Sequence, residues 1–125
     1  MPPLDGWKIL IVEDEYLIAD DLDGLLQDAG ASVVGPARTL PQAMQMAGDG
    51  ARFDAALLDV DIDGVAVFSL VDELQARGVP ILFLSACDRA NLPQEYRDTP
   101  LCEKPASGAQ ILDALKSIRI DQSPD

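Results

Sequence analysis

Five residues set the chemistry this sequence can perform: Glu13, Asp14, Asp59, Ser85 and Lys104. Glu13 and Asp14 follow the apolar run Trp7-Lys8-Ile9-Leu10-Ile11-Val12, and Asp59 follows the run from Phe53 to Leu58. Ser85 follows Pro80-Ile81-Leu82-Phe83-Leu84, and Lys104 follows Leu101-Cys102-Glu103. Each run reads as a β-strand, so all five residues fall at strand carboxyl ends, where open α/β sheets place their ligand crevice. Carboxylates gathered there repel one another, and without a cation some would take up protons at neutral pH. Oxygen ligands with no histidine favour a hard ion, Mg²⁺ or Mn²⁺, over zinc. Lys104 and Ser85 supply the positive charge and the hydroxyl donor that a transferred phosphoryl group needs. Asp59 is then the natural nucleophile, because a carboxylate attacking phosphorus gives an acyl phosphate.

Each residue alone has an ordinary reading. An acidic pair after a strand is a solvated helix start, Lys104 a surface lysine and Ser85 a satisfied loop hydroxyl. Their joint placement on four strand ends favours the phosphoryl site. Asp59-Val60-Asp61-Ile62-Asp63-Gly64 also matches the opening of an EF-hand loop, but Val67 and Leu70 stand at its ninth and twelfth positions, where calcium ligands belong.

Short β-rich runs alternate with amphipathic stretches, the pattern of βα units around a parallel sheet, and five such pairs are legible. The first helix carries Ile18, Leu22, Leu25, Leu26 and Ala29 on its apolar face, turns Asp20, Asp21 and Asp23 to water, and stops at Gly30. A second strand lies near Ala31 to Val34. Thr39-Leu40-Pro41-Gln42 announces the next helix, with Thr39 as N-cap and Gln42 closing a capping box. Ala55-Ala56-Leu57-Leu58 lacks polar alternation and is predicted to be central. A third helix is expected from about Val65 to Arg77, ending at Gly78. The segment from Cys87 to Asp98 has few apolar residues and carries Pro93, which predicts a short or poorly ordered helix. A last helix starts from Ser107 with Gln110 three residues on and turns Ile111, Leu115 and Ile118 inward. Leu22, Leu26, Leu74 and Leu115 are expected in the core, with Tyr16 and Tyr96 as half-buried anchors.

With 125 residues the chain fits one domain, a core of about residues 7–119 followed by a polar tail over 120–125. Its apolar runs are too short to cross a bilayer and its start resembles no signal peptide, so a cytoplasmic location is expected. In a reducing compartment Cys87 and Cys102 are expected as free thiols. Nine Lys and Arg against 22 Asp and Glu leave a formal charge of −13, which disfavours nucleic acid and anionic membranes and favours a protein or a cation as partner. The absence of histidine excludes an imidazole base and a phosphohistidine of the chain's own.

ILIVEDE, AALLDVDIDG, PILFLSA and EKP, in this order, resemble the receiver domain of bacterial two-component response regulators across essentially the whole chain. The resemblance implies a flavodoxin-like (βα)5 sandwich with a parallel sheet of order 2-1-3-4-5. It implies Asp59 as phosphoacceptor, Asp14 as a direct Mg²⁺ ligand, Glu13 acting on the ion mainly through water, and the Asp61 backbone carbonyl completing the shell. Ser85 and Lys104 would bind phosphoryl oxygens, Asp61 and Cys87 would tune dephosphorylation, and the Lys104-Pro105 peptide would be cis. The implied partners are a histidine kinase or phosphotransfer protein and a downstream protein, with a homodimer admitted. The chain would be a phosphoacceptor rather than an enzyme acting on foreign substrates.

Two alternatives belong beside this reading. One is a pseudo-receiver that binds a partner without phosphorylation. The other is a haloacid-dehalogenase-like phosphatase, whose Asp-x-Asp motif belongs on the first strand of a longer chain. The sequence also departs from the family. Leu101 stands three residues before the lysine, where most receivers carry a switch aromatic, and Ala106 replaces a larger apolar residue. Both features resemble a branch of stand-alone receivers, and phosphorylation is expected to reorder the Cys87 to Asp98 segment instead.

Overall fold

The computed structural model describes residues 2–48, 51–62, 64–86 and 92–122. Its elements in chain order are β1 (Lys8–Val12), α1 (Tyr16–Asp28), β2 (Ser32–Ala37), α2 (Leu40–Ala47), β3 (Ala55–Asp59), β4 (Asp61–Ile62), β5 (Val65–Ala66), α3 (Phe68–Ala76), β6 (Ile81–Ser85), β7 (Leu101–Glu103) and α4 (Gly108–Gln122). A 3₁₀ turn, Gln94–Tyr96, precedes β7. Five strands form one parallel sheet in the order β2-β1-β3-β6-β7. Counting only these, the order is the expected 2-1-3-4-5.

Strand alternation divides the apolar residues between two faces. Ala56, Leu58, Ile81 and Phe83 pack with Ala43 and Ala47 of α2 and with Leu70, Val71 and Leu74 of α3. Ala55, Leu57, Leu82 and Leu84 pack with Leu22 and Leu26 of α1 and with Ile111, Leu115 and Ile118 of α4. The two central strands β3 and β6 are buried along their whole length, as their lack of polar alternation requires.

Local signals account for the helix ends. Ser107 and Gln110 close a reciprocal box, Gln110 N–H donating to Ser107 Oγ at 3.1 Å and Ser107 N–H to Gln110 Oε1 at 2.8 Å. At α2 the Gln42 N–H donates to Thr39 Oγ1 at 3.2 Å, but the Gln42 amide oxygen accepts from Arg38 N–H, one residue beyond the expected cap. After α1 the chain turns at Gly30 with φ +95°, which lets Ala31 N–H return to Leu26 O at 3.0 Å. A side chain at Gly30 would also strike the Asp5 backbone.

Five expectations are corrected. Strand β2 extends to Ala37 through a cis Gly35-Pro36 peptide. The third helix begins at Phe68 rather than Val65, because Asp61–Ile62 and Val65–Ala66 pair as an antiparallel hairpin around Gly64, whose φ is +79°. Helix α4 continues through Gln122 past the polar composition that suggested a tail, since backbone bonds propagate a helix without a buried face. Tyr16 is 63% exposed rather than half-buried, held against the Arg38 guanidinium at 4.6 Å. Tyr96 is buried. Its hydroxyl donates to Asp72 Oδ1 at 2.7 Å, and that bond pushes the phenol up to about 12, so it stays a neutral donor. Of the segment expected as a short or poorly ordered helix, residues 87–91 lie outside the described residues, and the rest holds only the 3₁₀ turn.

Leu74 is fully buried and Leu17 is 76% exposed. Urea denaturation should therefore show Leu74→Ala losing about 2–5 kcal/mol of stability and Leu17→Ala losing under about 0.5 kcal/mol.

Candidate functional site

Sheet register brings the sequence-predicted residues to one end of the molecule. Asp59 closes β3 and lies opposite Leu84, while Ser85 closes β6 and lies opposite Glu103. Glu13 and Asp14 leave β1 directly, with Glu13 N–H bonded to Ala37 O at 2.9 Å. Lys104 leaves β7 with its N–H donating to Ser85 O at 2.7 Å, followed by the expected cis bond to Pro105. The backbone ladder thus fixes where each functional side chain starts.

The Glu13 and Asp59 side chains meet at the Lys104 ammonium. Lys104 Nζ lies 2.7 Å from Asp59 Oδ2 and 3.0 Å from Glu13 Oε2, and donates to Glu13 Oε1 at 3.4 Å. Glu13, Asp59 and Ser85 are the buried polar residues among those described. Carboxylate oxygens of Glu13, Asp14 and Asp59 lie within 4.8 Å of one another. Asp59 Oδ1 accepts the Asp61 N–H at 3.3 Å, and Asp61 itself is exposed at the start of the hairpin.

This concentration of charge has electrostatic consequences. Burial pushes the Glu13 carboxyl up to about 7, and the Asp59 charge adds to the rise, against the lowering by Glu15 N–H and Lys104. Burial pushes the Lys104 ammonium down, but hydrogen bonds and charge from Asp59 and Glu13 outweigh it and hold the group above the usual lysine value. Glu13 Oε2 forms an ion pair with the ammonium at 3.0 Å and is a fully buried oxygen without a hydrogen bond. Three clustered carboxylates, two of them paired with one ammonium, form a donor set that fits a divalent cation bound by oxygen.

The sequence reading missed Glu15. Its N–H donates to Glu13 Oε1 at 3.1 Å and its carboxylate lies 3.8 Å from Lys104 Nζ. The third acid of Glu13-Asp14-Glu15 was the available signal. Leu101 occupies the expected strand-five position, half-buried opposite Phe83. Cys87 lies outside the described residues, and Cys102 is a free thiol. Val67 and Leu70 are fully buried, which removes the calcium-loop alternative because neither can reach an ion. The Asp-x-Asp motif sits on the third strand, not the first, which also removes the phosphatase topology. Among the described residues no helix is long and apolar enough to cross a membrane.

Comparison with known proteins agrees with this geometry. The family model of the response regulator receiver domain matches residues 9–116. The chain is 36% identical over 107 residues to the phyllosphere-induced regulator PhyR of Methylorubrum extorquens, covering 83% of this chain and 40% of that protein. It thus spans well under half the length of that relative. The solution structure of SdrG from Sphingomonas melonis is 32% identical with a TM-score of 0.79, over 95% of this chain and 99% of that one. The receiver domain of Erythrobacter litoralis PhyR is 25% identical with a TM-score of 0.81, over 97% and 96%. Matched by that family model over residues 9–116 and folded around a parallel five-stranded sheet, the chain belongs to the response regulator receiver domain family.

Proposed function

We propose that the chain is a single phosphorelay receiver domain that accepts a phosphoryl group on Asp59 from the phosphohistidine of a histidine kinase or phosphotransfer protein. The observation that carries this is the 2.7 Å contact between Lys104 Nζ and Asp59 Oδ2 inside a cluster of three carboxylates. In the reaction an Asp59 carboxylate oxygen attacks phosphorus as the phosphorus–nitrogen bond of the donor breaks. The electron pair stays on the imidazole, which takes up a proton, and Asp59 becomes an acyl phosphate. The lysine holds one phosphoryl oxygen, the Ser85 hydroxyl donates to another, and the Asp61 N–H steadies the acceptor carboxylate.

Glu13, Asp14, Asp59 and the Asp61 carbonyl would hold Mg²⁺, with Mn²⁺ as substitute. The ion would supply charge neutralisation between the carboxylates and the incoming dianion. Asp61 and Cys87 would set the lifetime of the acyl phosphate through access of water. The domain acts on no foreign substrate and signals through a protein partner. Its formal charge of −13 supports a protein rather than nucleic acid or a membrane as that partner, and a cytoplasmic setting supplies the kinase. A cleft of about 820 Å³ between α1 and α4 reaches Lys104 and carries Glu15, Asp21 and Asp28 on its rim, which suits a basic partner surface.

Incubation with a small phosphodonor and Mg²⁺ should label wild-type protein with the hydroxylamine-sensitive phosphate of an acyl phosphate and leave Asp59→Asn unlabelled. Removing Mg²⁺ should suppress the label. Equal labelling of both proteins contradicts the assignment. A pseudo-receiver would label in neither condition.

Stability against pH gives a second test. Because folding raises the Glu13 carboxyl from 4.5 to about 7, the folded state binds the extra proton between those values. Stability from this group is full below about pH 4.5 and is lost as pH rises through about 7. The Glu13→Gln protein should therefore gain on wild type in Tm as pH rises from about 5 to about 8 in EDTA. Mg²⁺ should stabilise wild type increasingly over the same window. A Tm difference that stays constant with pH would contradict the assignment of this titration to Glu13.

A further inference from the structure

We propose that Tyr96 is the aromatic element that reads out the state of the Asp59 site, in place of a ring on the last strand. The proposal rests on the phosphorelay reading above, and three observations carry it.

First, both arms of the site lead to Phe68. From the acceptor side, Val60 follows Asp59, and Val60 O accepts the N–H of Val67, the residue before Phe68, at 3.0 Å. From the hydroxyl side, Phe83 lies two residues before Ser85, so strand alternation puts both side chains on one face of β6. The Phe83 ring meets Phe68 edge to face, with centroids 6.3 Å apart at 89°.

Second, Tyr96 lies flat on Phe68. The centroids are 4.4 Å apart and the rings are 9° from parallel. The phenol is locked at its far end by the 2.7 Å bond to Asp72 on the next turn of α3. Leaving this place costs the ring both its stack and one directional hydrogen bond, so the packed arrangement is a defined one.

Third, the position that would otherwise carry a ring is aliphatic. Leu101 lies opposite Phe83 and packs against the same cluster, and among the described residues the ring in contact with Phe83 is Phe68, on which Tyr96 stacks. Tyr96 sits in the 3₁₀ turn between exposed Glu95 and Arg97, so its release changes a charged surface that a partner can meet.

The coupling follows from differential contacts. A phosphoryl group on Asp59 gives the Ser85 hydroxyl and the Lys104 ammonium a shared acceptor, drawing the end of β6 toward β3. Phe83 moves with it, the seat of Phe68 changes, and Tyr96 leaves the stack and releases Asp72.

Two tyrosines make this readable, Tyr16 and Tyr96. The protein labelled with 3-fluorotyrosine should give two ¹⁹F resonances, assigned with Tyr16→Phe. On addition of phosphodonor and Mg²⁺, the Tyr96 resonance should shift in proportion to acyl phosphate, quantified separately by acid-labile label. Asp59→Asn should show no shift. Tyr96→Phe keeps the ring and removes only the bond to Asp72. It should label faster from the small donor by about 3-fold or more, because the competent arrangement is more populated at rest. A Tyr96 resonance that stays in place at full acyl phosphate overturns the proposal while leaving the phosphorelay reading intact. A labelling rate in Tyr96→Phe equal to wild type also overturns it. Failure of wild type to form acyl phosphate overturns both.

Discussion

A half-buried ammonium between two buried carboxylates is the constraint on which the rest of this structure depends. Lys104 is 15% exposed in its side chain, Glu13 not at all and Asp59 10%, so the three charges have little water to share. Desolvation of such groups costs several kcal/mol each, on the order of the gain from their mutual attraction, and the balance requires good geometry. That geometry comes from elements remote in sequence. Residues 13, 59 and 104 end three different strands, and the register of a parallel sheet, fixed by burial on both faces, is what sets their side chains within reach. An imperfectly neutralised cluster follows, with one oxygen of Glu13 unmet. Such a cluster fits a divalent cation bound by oxygen.

The relation between sequence and fold is clearest where one local rule decides. Continuous apolar runs placed β3 and β6 at the centre, because a strand covered by helices on both sides cannot alternate. Ser107 with Gln110 marked the start of α4 to the residue, since a reciprocal box has one geometry. The site residues were legible because an α/β sheet sends its reactive side chains to strand ends, and four such ends carried suitable groups. Where the reading went astray, two rules competed. Val65 and Ala66 continue the apolar pattern of α3, yet Gly64 favours a turn, and the hairpin took them. Tyr16 has the composition of an anchor, but an exposed guanidinium at Arg38 offers its ring a partner outside the core. Glu15 went unnoticed because its role comes from a backbone N–H and a neighbouring lysine, neither of which a residue type announces.

The same contrast extends to the aromatic residues. Phe83, Phe68 and Tyr96 are far apart in sequence and carry no shared motif, so nothing in the pattern links them. Packing links them in a row from the sheet to the surface. With Leu101 on its last strand, the chain still packs rings behind the strand ends that carry its acidic cluster, contributed by α3 and by the turn before β7 rather than by β7 itself.

Borohydride reduction followed by peptide mass mapping tests the central claim most directly, since it converts an aspartyl phosphate to homoserine and records the position. After reaction with a phosphodonor and Mg²⁺, homoserine at position 59 and at no other aspartate is the predicted result. Homoserine at Asp14 or Asp61, or none at position 59 in protein that carries acid-labile phosphate, would contradict it.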